Sequence, residues 1–127
     1  MSLQTAVETF GKRLGMPSLA LGPDGLAALD ISGVGRLYLE ISDKSGHEEL
    51  LAYLTRAVPH HDRDIARRAL SYCHYSHAHD LPLWAGMHKD NLVVLTRVSG
   101  QEATGQVLEN AALLLADSLN NISEGSK

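Results

Sequence analysis

The segment RLYLEIS, residues 36–42, decides the fold class. Apolar side chains alternate along it with a tyrosine, a glutamate and a serine, and this period of two is typical of a β-strand with one buried and one wetter face. Turn sequences flank the segment on both sides, SGVG at residues 32–35 and DKSG at residues 43–46. The segment is therefore predicted to be one strand of a meander with short connections.

Four further segments are predicted to be strands of the same sheet. Residues 26–31 follow the turn GPDG, and residues 49–58 favour a third strand, although a short helix also fits the spacing of their leucines. Residues 81–87 and 92–98 are predicted to form a β-hairpin around HKDN at residues 88–91. Because the run LVVL is apolar on both faces, the last strand is expected to be central and covered on both sides.

Three amphipathic helices complete the pattern. In the first, residues 3–14, apolar side chains recur at steps of four, three and four, and Gly15 ends the helix. Asp62 is a candidate cap for the second helix. Ser99 and Glu102 have capping-box spacing, which predicts that the third helix begins there. The order α-β-β-β-α-β-β-α predicts an α+β fold with a mostly antiparallel, twisted sheet.

Length and charge restrict what the protein does. We expect its 127 residues to form a single domain, residues 1–127, large enough to bury a core without disulfides or metals. The chain has 11 Lys and Arg against 15 Asp and Glu, a net charge of −4, which argues against nucleic acid or an anionic membrane as the main partner. Cys73 has no other cysteine to pair with, and no apolar run reaches the roughly 20 residues of a bilayer span, so the cytoplasm is the expected compartment.

A histidine-rich stretch is the first place to look for a catalytic or metal site. Cys73, His74, His77, His79 and Asp80 are all possible zinc ligands by residue type. Their spacing matches neither HExxH nor CxxC, so a solvated helix end and loop is the preferred interpretation, and a small histidine-based metal enzyme is the alternative. No GxSxG or Walker sequence is present, and we find no arrangement of residues that would make an active site.

Trp84 and Met87 indicate a possible contact with another chain. They follow Leu81 and Leu83 in a short apolar run, and tryptophan and methionine are enriched where proteins meet proteins. Placement of Trp84 in the core is the alternative. If these side chains are exposed, they predict a partner chain or a second copy of this one.

Together these segments resemble the class I type III secretion chaperones of the CesT/Tir-chaperone superfamily. The resemblance covers residues 2–122 and rests on the pattern of elements, the length and the acidity. Its parts are the first helix with GMP at residues 15–17, LYLEI at residues 37–41, the helix from Asp62, LWAGM at residues 83–87, LVVLTRV at residues 92–98 and the closing amphipathic helix.

The resemblance implies a small bacterial protein of the cytoplasm that forms a homodimer. Such a chaperone binds an N-terminal segment of one or more secreted effectors and keeps it competent for export, with no ATP, metal or other cofactor and no catalytic residue. The export apparatus, including its ATPase, is the further partner that the resemblance implies. A regulator or scaffold that shares the fold but has no export client is the remaining alternative.

The resemblance also implies two sets of site residues, each of which is equally compatible with a place in the core. The first helix and the early strands would contact the effector. The candidates there are Leu14, Leu19, Leu21, Leu29, Tyr38 and Ile41. The second helix and the strand after it would form the dimer interface. The candidates there are Leu70, Cys73, Leu83, Trp84 and Met87.

Overall fold

The computed structural model describes residues 3–16, 18–44, 47–58, 64–75 and 82–124. Within these ranges the chain forms three helices and five strands in the predicted order, which confirms the α+β prediction.

The helices and strands are numbered along the chain. They are α1 (Leu3–Arg13), β1 (Leu26–Ile31), β2 (Gly35–Lys44), β3 (His47–Ala57), α2 (Asp64–Tyr75), β4 (Trp84–His88), β5 (Asn91–Ser99) and α3 (Gly105–Glu124). The third segment is thus a strand and not a short helix, because it pairs with β2 on one side and with β5 on the other.

The five strands form one antiparallel sheet in the order β1-β2-β3-β5-β4. Short turns connect β1 to β2, β2 to β3 and β4 to β5, as the meander and hairpin predictions require. β3 and β5 pair across the segment that contains α2 and β4. In the described sheet β3 is therefore the central strand, and β1 and β4 are the two edges.

One side of the sheet, here called the covered face, packs against the helices and carries the core. Buried and half-buried side chains alternate along β3 and β5, as a period of two requires. α3 packs on both of these strands, and α1 and α2 pack against α3. The covered face consists of Ala27, Leu29, Leu37, Leu39, Leu50, Ala52, Leu54, Leu92, Val94, Thr96 and Val98.

The other side of the sheet, here called the open face, carries side chains that are half-buried or exposed. Val93 and Leu95 belong to it, so the expectation that β5 is covered on both sides is wrong for a single described chain. The helices close only the covered face. The open face includes Ala28, Asp30, Arg36, Tyr38, Glu40, Glu49, Leu51, Tyr53, Thr55, Trp84, Gly86, His88, Val93, Leu95 and Arg97.

A specific turn ends α1. The amide of Gly15 donates to the Lys12 carbonyl at 3.1 Å, and the amide of Met16 donates to the Gly11 carbonyl at 2.7 Å, which is the bond pair of a Schellman motif. Gly15 has φ 76°, a conformation that glycine adopts without strain. Gly11 is also required, because a Cβ there would lie 2.7 Å from the Cβ of Leu19. The turn fixes the direction of the chain after the helix.

α3 begins later than the sequence predicted. Ser99 still pairs with Glu49 in the sheet, and the amide of Glu102 donates to the Ser99 carbonyl at 3.0 Å in a turn. The cap is instead Thr104, whose Oγ1 accepts from the amide of Val107 at 3.1 Å. The capping-box prediction is wrong because Ser99 is the last residue of β5 and cannot also begin a helix.

Smaller differences concern the ends of other elements. Leu14 lies just beyond α1, and β4 begins at Trp84, three residues later than predicted. Asp62, the predicted cap of α2, lies outside the described residues.

Arg56 connects the last turns of α3 to the sheet through hydrogen bonds. Its Nε donates to the Val34 carbonyl at 2.7 Å, and its Nη1 donates to the Ser123 hydroxyl at 2.6 Å. Its Nη2 donates to the Asn120 side-chain oxygen. Because the acceptors come from the β1–β2 turn and from α3, this partly buried guanidinium joins two elements that are distant in sequence.

Candidate functional site: an apolar groove and an open sheet face

An apolar groove of about 430 Å³ lies between α1, β1 and α3. Phe10 lines it and is fully buried. Leu14 and Leu113 line it as well and are 41% and 59% exposed, respectively. Exposed leucines beside an open apolar groove are typical of a surface that binds another polypeptide.

The local structure explains why the groove is open. The turn after α1 brings Leu14 and Met16 to one side of it. Ala112 and Ala116 line it from α3, one helical turn apart, and their short side chains leave the space between the elements unfilled. The groove is therefore built from three segments that are far apart in the sequence.

The groove runs beside an edge of the sheet. Residues 29–32, at the end of β1, line it, and β1 has no strand on its outer side in the described sheet. The backbone of an edge strand offers donors and acceptors to an added strand. A segment that enters the groove can therefore bind through apolar side chains and through backbone hydrogen bonds.

Arg13 holds the end of α1 against α3 beside this groove. Its Nη2 lies 3.2 Å from Glu109 Oε1 and donates to Gln106 Oε1 at 2.5 Å. Glu109 itself lines the groove. An exposed ion pair adds little stability, so these contacts contribute little to the packing of the two helices.

A row of aromatic and apolar side chains crosses most of the open face. Tyr38 pairs with Tyr53, Tyr53 with Leu95, and Leu95 with Trp84, so the row extends over four neighbouring strands. The two tyrosine rings stack with centroids 5.0 Å apart and planes at 15°. Trp84 is 43% exposed at the far end of the row. Solvent-facing residues of an antiparallel sheet are usually polar, so this row is a second candidate interaction surface.

Arginines lie over the rings at both ends of the row. The guanidinium carbon of Arg36 is 5.6 Å from the Tyr38 ring centroid, and that of Arg97 is 4.9 Å from the Trp84 ring. Each arginine also has a carboxylate nearby, Asp30 at 3.0 Å from Arg36 and Glu49 at 3.6 Å from Arg97. These pairs neutralise the positive charge, so the open face does not have the basic surface that nucleic-acid binding requires.

Two groups on the open face have perturbed pKa values. The hydrogen bond and the charge of Asp30 raise the pKa of Arg36. Partial burial is the largest cause that raises the pKa of Tyr53, followed by the negative charge of Glu40, whose Oε1 accepts from the Tyr53 hydroxyl at 3.3 Å. Both shifts move the pKa away from neutral pH.

A shallow depression of about 220 Å³ lies at the β4 end of the open face. Trp84, Gly86 and His88 line it from β4, and Val93 and Leu95 line it from β5. A Cβ at Gly86 would touch nothing within 4 Å, so the backbone of β4 is open to solvent at this position. A glycine inside a strand often marks a place where another chain approaches closely.

The six predicted effector contacts do not form one surface. Leu14 and Leu29 line the groove, although Leu29 is itself buried. Leu19 is buried, and Leu21 and Ile41 are partly buried against the core. Tyr38 lies on the open face, on the opposite side of the sheet from Leu29.

The predicted dimer residues are also divided. Trp84 lies on the open face, whereas Met87 pairs with the buried Leu92 and lies on the other side of β4. Leu83 is partly buried against the core. Leu70 and Cys73 belong to α2, but their side chains lie outside the described residues, as do His77, His79 and Asp80.

Sequence reasoning missed several residues of both surfaces. Leu113 and Met16 line the groove, and Tyr53 and Leu95 complete the aromatic row. A signal for Leu113 existed, because it is a large apolar residue outside the apolar stripe of the last helix. No such signal existed for the row, because only the strand register brings its members together.

The described residues contain no group of three or more His, Cys, Asp or Glu side chains that could hold a metal ion. Among the helices in the described ranges, none combines the length and the hydropathy needed to cross a membrane.

Several solved structures share the fold of this chain. The chaperone SycH of Yersinia pestis, solved with a fragment of YscM2, has a TM-score of 0.72 and 15% identity, covering 94% of this chain and 98% of that one. A chain of the HopA1–SchA chaperone–effector complex has a TM-score of 0.70 and 17% identity, covering 95% and 92%. A chain of the ExsC–ExsE complex has a TM-score of 0.73 and 21% identity, covering 98% and 96%. At such identities the likeness establishes the fold.

The sequence itself establishes the family. No curated protein sequence matches the chain significantly. The family model of the type III secretory system chaperone SycN matches residues 2–122, which is nearly the whole chain. This match confirms the resemblance to type III secretion chaperones, and the chain belongs to the SycN family of type III secretory system chaperones.

Proposed function

We propose that this protein binds the N-terminal segment of a secreted effector in the bacterial cytoplasm and keeps it competent for export without ATP. The observation that carries the proposal is the groove between α1, β1 and α3, with Leu14 and Leu113 exposed at its sides. The family supports a chaperone role. All three similar structures described above are complexes, SycH with a YscM2 fragment, SchA with HopA1 and ExsC with ExsE.

The client segment adds to the sheet beside β1. In this arrangement its backbone pairs with the free edge of β1, and alternate side chains enter the groove beside Leu29 and Ile31. Backbone pairing supplies affinity that depends little on sequence, whereas the groove selects apolar residues. This combination suits a chaperone that keeps an aggregation-prone segment extended.

The chain functions as a homodimer that associates through the β4 end of the molecule. Support comes from the exposed Trp84 and Gly86 and the half-buried Val93 and Leu95, which line one shallow depression. Large aromatic side chains at the centre of such an area contribute most of the association energy. The same area lies across the sheet from β1, so dimer formation leaves the groove free for a client.

Co-purification tests the function. The chain is expressed with N-terminal fragments of type III effectors from the same bacterium, and the mass of each complex is measured in solution. The expected result is a complex with two copies of this chain per fragment. If no fragment co-purifies and the fragments remain insoluble, the chaperone proposal is wrong.

A substitution in the groove tests whether the effector fragment binds there. Leu113→Glu places a charge beside the apolar groove and is expected to abolish co-purification while the dimer persists. Gln101→Glu adds the same charge in the exposed turn before α3 and serves as the matched control. Retention of the fragment by Leu113→Glu would show that the client binds elsewhere.

The same purified protein also allows a test of the alternative, a histidine-based metal enzyme. Metal analysis of protein prepared without a histidine tag is expected to find no stoichiometric zinc. One zinc per chain in a monomer would favour the enzyme instead.

A further inference from the structure

Asp30 lies where the groove and the open face meet, on the outermost described strand. Along β1 the side chains of Leu29 and Ile31 are directed to the covered side, and Asp30 between them is directed to the open side. The Asp30 side chain is 76% exposed. It is therefore the only carboxylate that β1 itself presents to a strand added at its edge.

We infer that the client of this chaperone carries a lysine or arginine between two apolar residues, and that this basic side chain lies beside Asp30. The inference deepens the proposed function and rests on it, since it takes strand addition to β1 as the binding mode.

The alternation of a strand fixes this pattern. A strand that pairs with β1 must place its side chains on the same two sides as β1 does. Residues beside Leu29 and Ile31 then enter the groove, where apolar side chains are favoured. The residue between them lies on the open side as the cross-strand neighbour of Asp30, where an opposite charge stabilises the pair and a like charge destabilises it.

The pairing of Asp30 with Arg36 leaves room for a second cation. Arg36 approaches from β2, on the inner side of β1, and its Nη1 donates to one oxygen, Oδ1, at 3.0 Å. The arginine also lies over the Tyr38 ring. A carboxylate accepts several hydrogen bonds, and this one is mostly in solvent. A basic residue of the client can therefore share it from the outer side.

A different role for Asp30 gives a different result. Charged residues on edge strands also protect a sheet against unwanted pairing. In that role Asp30 would weaken the binding of every added strand, whatever its sequence. Selectivity between basic and acidic clients separates the two roles.

Selection from a peptide library tests the inference. Displayed peptides with apolar residues at alternate positions and random residues between them are selected on the wild-type chain, on Asp30→Asn and on Asp30→Lys. We expect Lys and Arg to be enriched between apolar residues on the wild type, no enrichment on Asp30→Asn, and Asp or Glu on Asp30→Lys. Asp117→Lys, which makes the same charge change at an exposed position of α3, is expected to keep the wild-type preference.

Affinities of matched peptides give the magnitude. A labelled peptide with Lys at the selected position is expected to bind about two- to fivefold more tightly than its Glu counterpart, the range of one exposed cross-strand charge pair. The ratio is expected to shrink as salt is added. Arg36→Gln is expected to increase the ratio, because it leaves Asp30 with less competing positive charge.

The failures of the two proposals are distinguishable. If alternating peptides bind the wild type, lose binding to Leu113→Glu, and show equal affinity for the Lys and Glu forms, the inference is overturned and the groove remains the client site. If no alternating peptide binds the wild-type chain, strand addition is overturned and the inference with it.

Discussion

The covered face and the open face of the sheet are produced by the same alternation along the same strands, yet helices close only the covered one. Leu37 and Leu54 are at most 1% exposed on the covered face. Tyr38 and Tyr53, their neighbours in sequence, are half-buried on the open face, and Trp84 is 43% exposed there. The difference teaches that alternation along a strand produces two faces, and that helix packing decides which of them is buried.

The largest expected effect concerns the covered face. Leu54→Ala is expected to lower the free energy of unfolding by about 2–5 kcal/mol, because it leaves a cavity in a fully buried site. Leu51→Ala, three residues earlier on the open face of the same strand, is the control and is expected to cost about 1 kcal/mol or less. Urea denaturation measures both. Equal losses of stability would mean that Leu51 on the open face is as deeply buried as Leu54 on the covered face.

The next effect concerns the exposed end of the aromatic row. Trp84→Ala is expected to weaken the proposed dimer by about 2–4 kcal/mol, since a central interface tryptophan contributes most of the association energy. Sedimentation at low micromolar concentration measures the mass. An unchanged mass would remove the open face from the dimer interface, and Leu113→Ala, in the groove, is the control that keeps the dimer.

A smaller effect on stability is expected for two arginines, Arg56 on the covered face and Arg36 on the open face. Arg56→Met is expected to lower the free energy of unfolding by about 1–3 kcal/mol, because acceptors in the β1–β2 turn and in α3 lose a charged donor. Arg36→Met removes an exposed pair on the open face and is expected to leave stability nearly unchanged. Urea denaturation measures the free energy of unfolding of both variants. Equal losses in the two variants would contradict this prediction.

The smallest effect is a pH dependence of folding stability that arises from Tyr53 on the open face. The pKa of Tyr53 is raised in the folded chain, so the folded state holds this proton more tightly than the unfolded state does. The contribution to stability is complete below the unfolded pKa of about 10 and is lost as pH rises beyond it. Tyr53→Phe is expected to reduce the loss of stability at alkaline pH. Glu40→Gln is expected to reduce it more weakly, because Glu40 is only the second cause of the raised pKa. Thermal melts between pH 8 and pH 11, values chosen to bracket about 10, measure the slope, and an unchanged slope in both variants would contradict the assignment.

Local pattern was sufficient to predict the elements where one signal dominated. The alternation at residues 36–42 and the stripe at residues 3–14 gave the right element types, because period-two and period-3.6 burial are properties of a short segment. The start of α3 was predicted wrongly, because capping-box spacing at Ser99 competed with sheet pairing, which is not a local property. In the candidate site, the sequence likewise predicted Leu14 and Trp84, whereas Leu113 and Tyr53 needed the packing and the strand register.

The sequence by itself determined the type of the elements with one dominant period, such as α1 and β2, and the two-sided character of the strand that contains Leu37 and Tyr38. Tertiary structure alone decided which side the helices cover. It also decided that Tyr38 shares a surface with Trp84 and not with Leu14, because strand register and helix packing join residues far apart in the chain. Periodicity separates two faces but carries no information about what will pack on either of them.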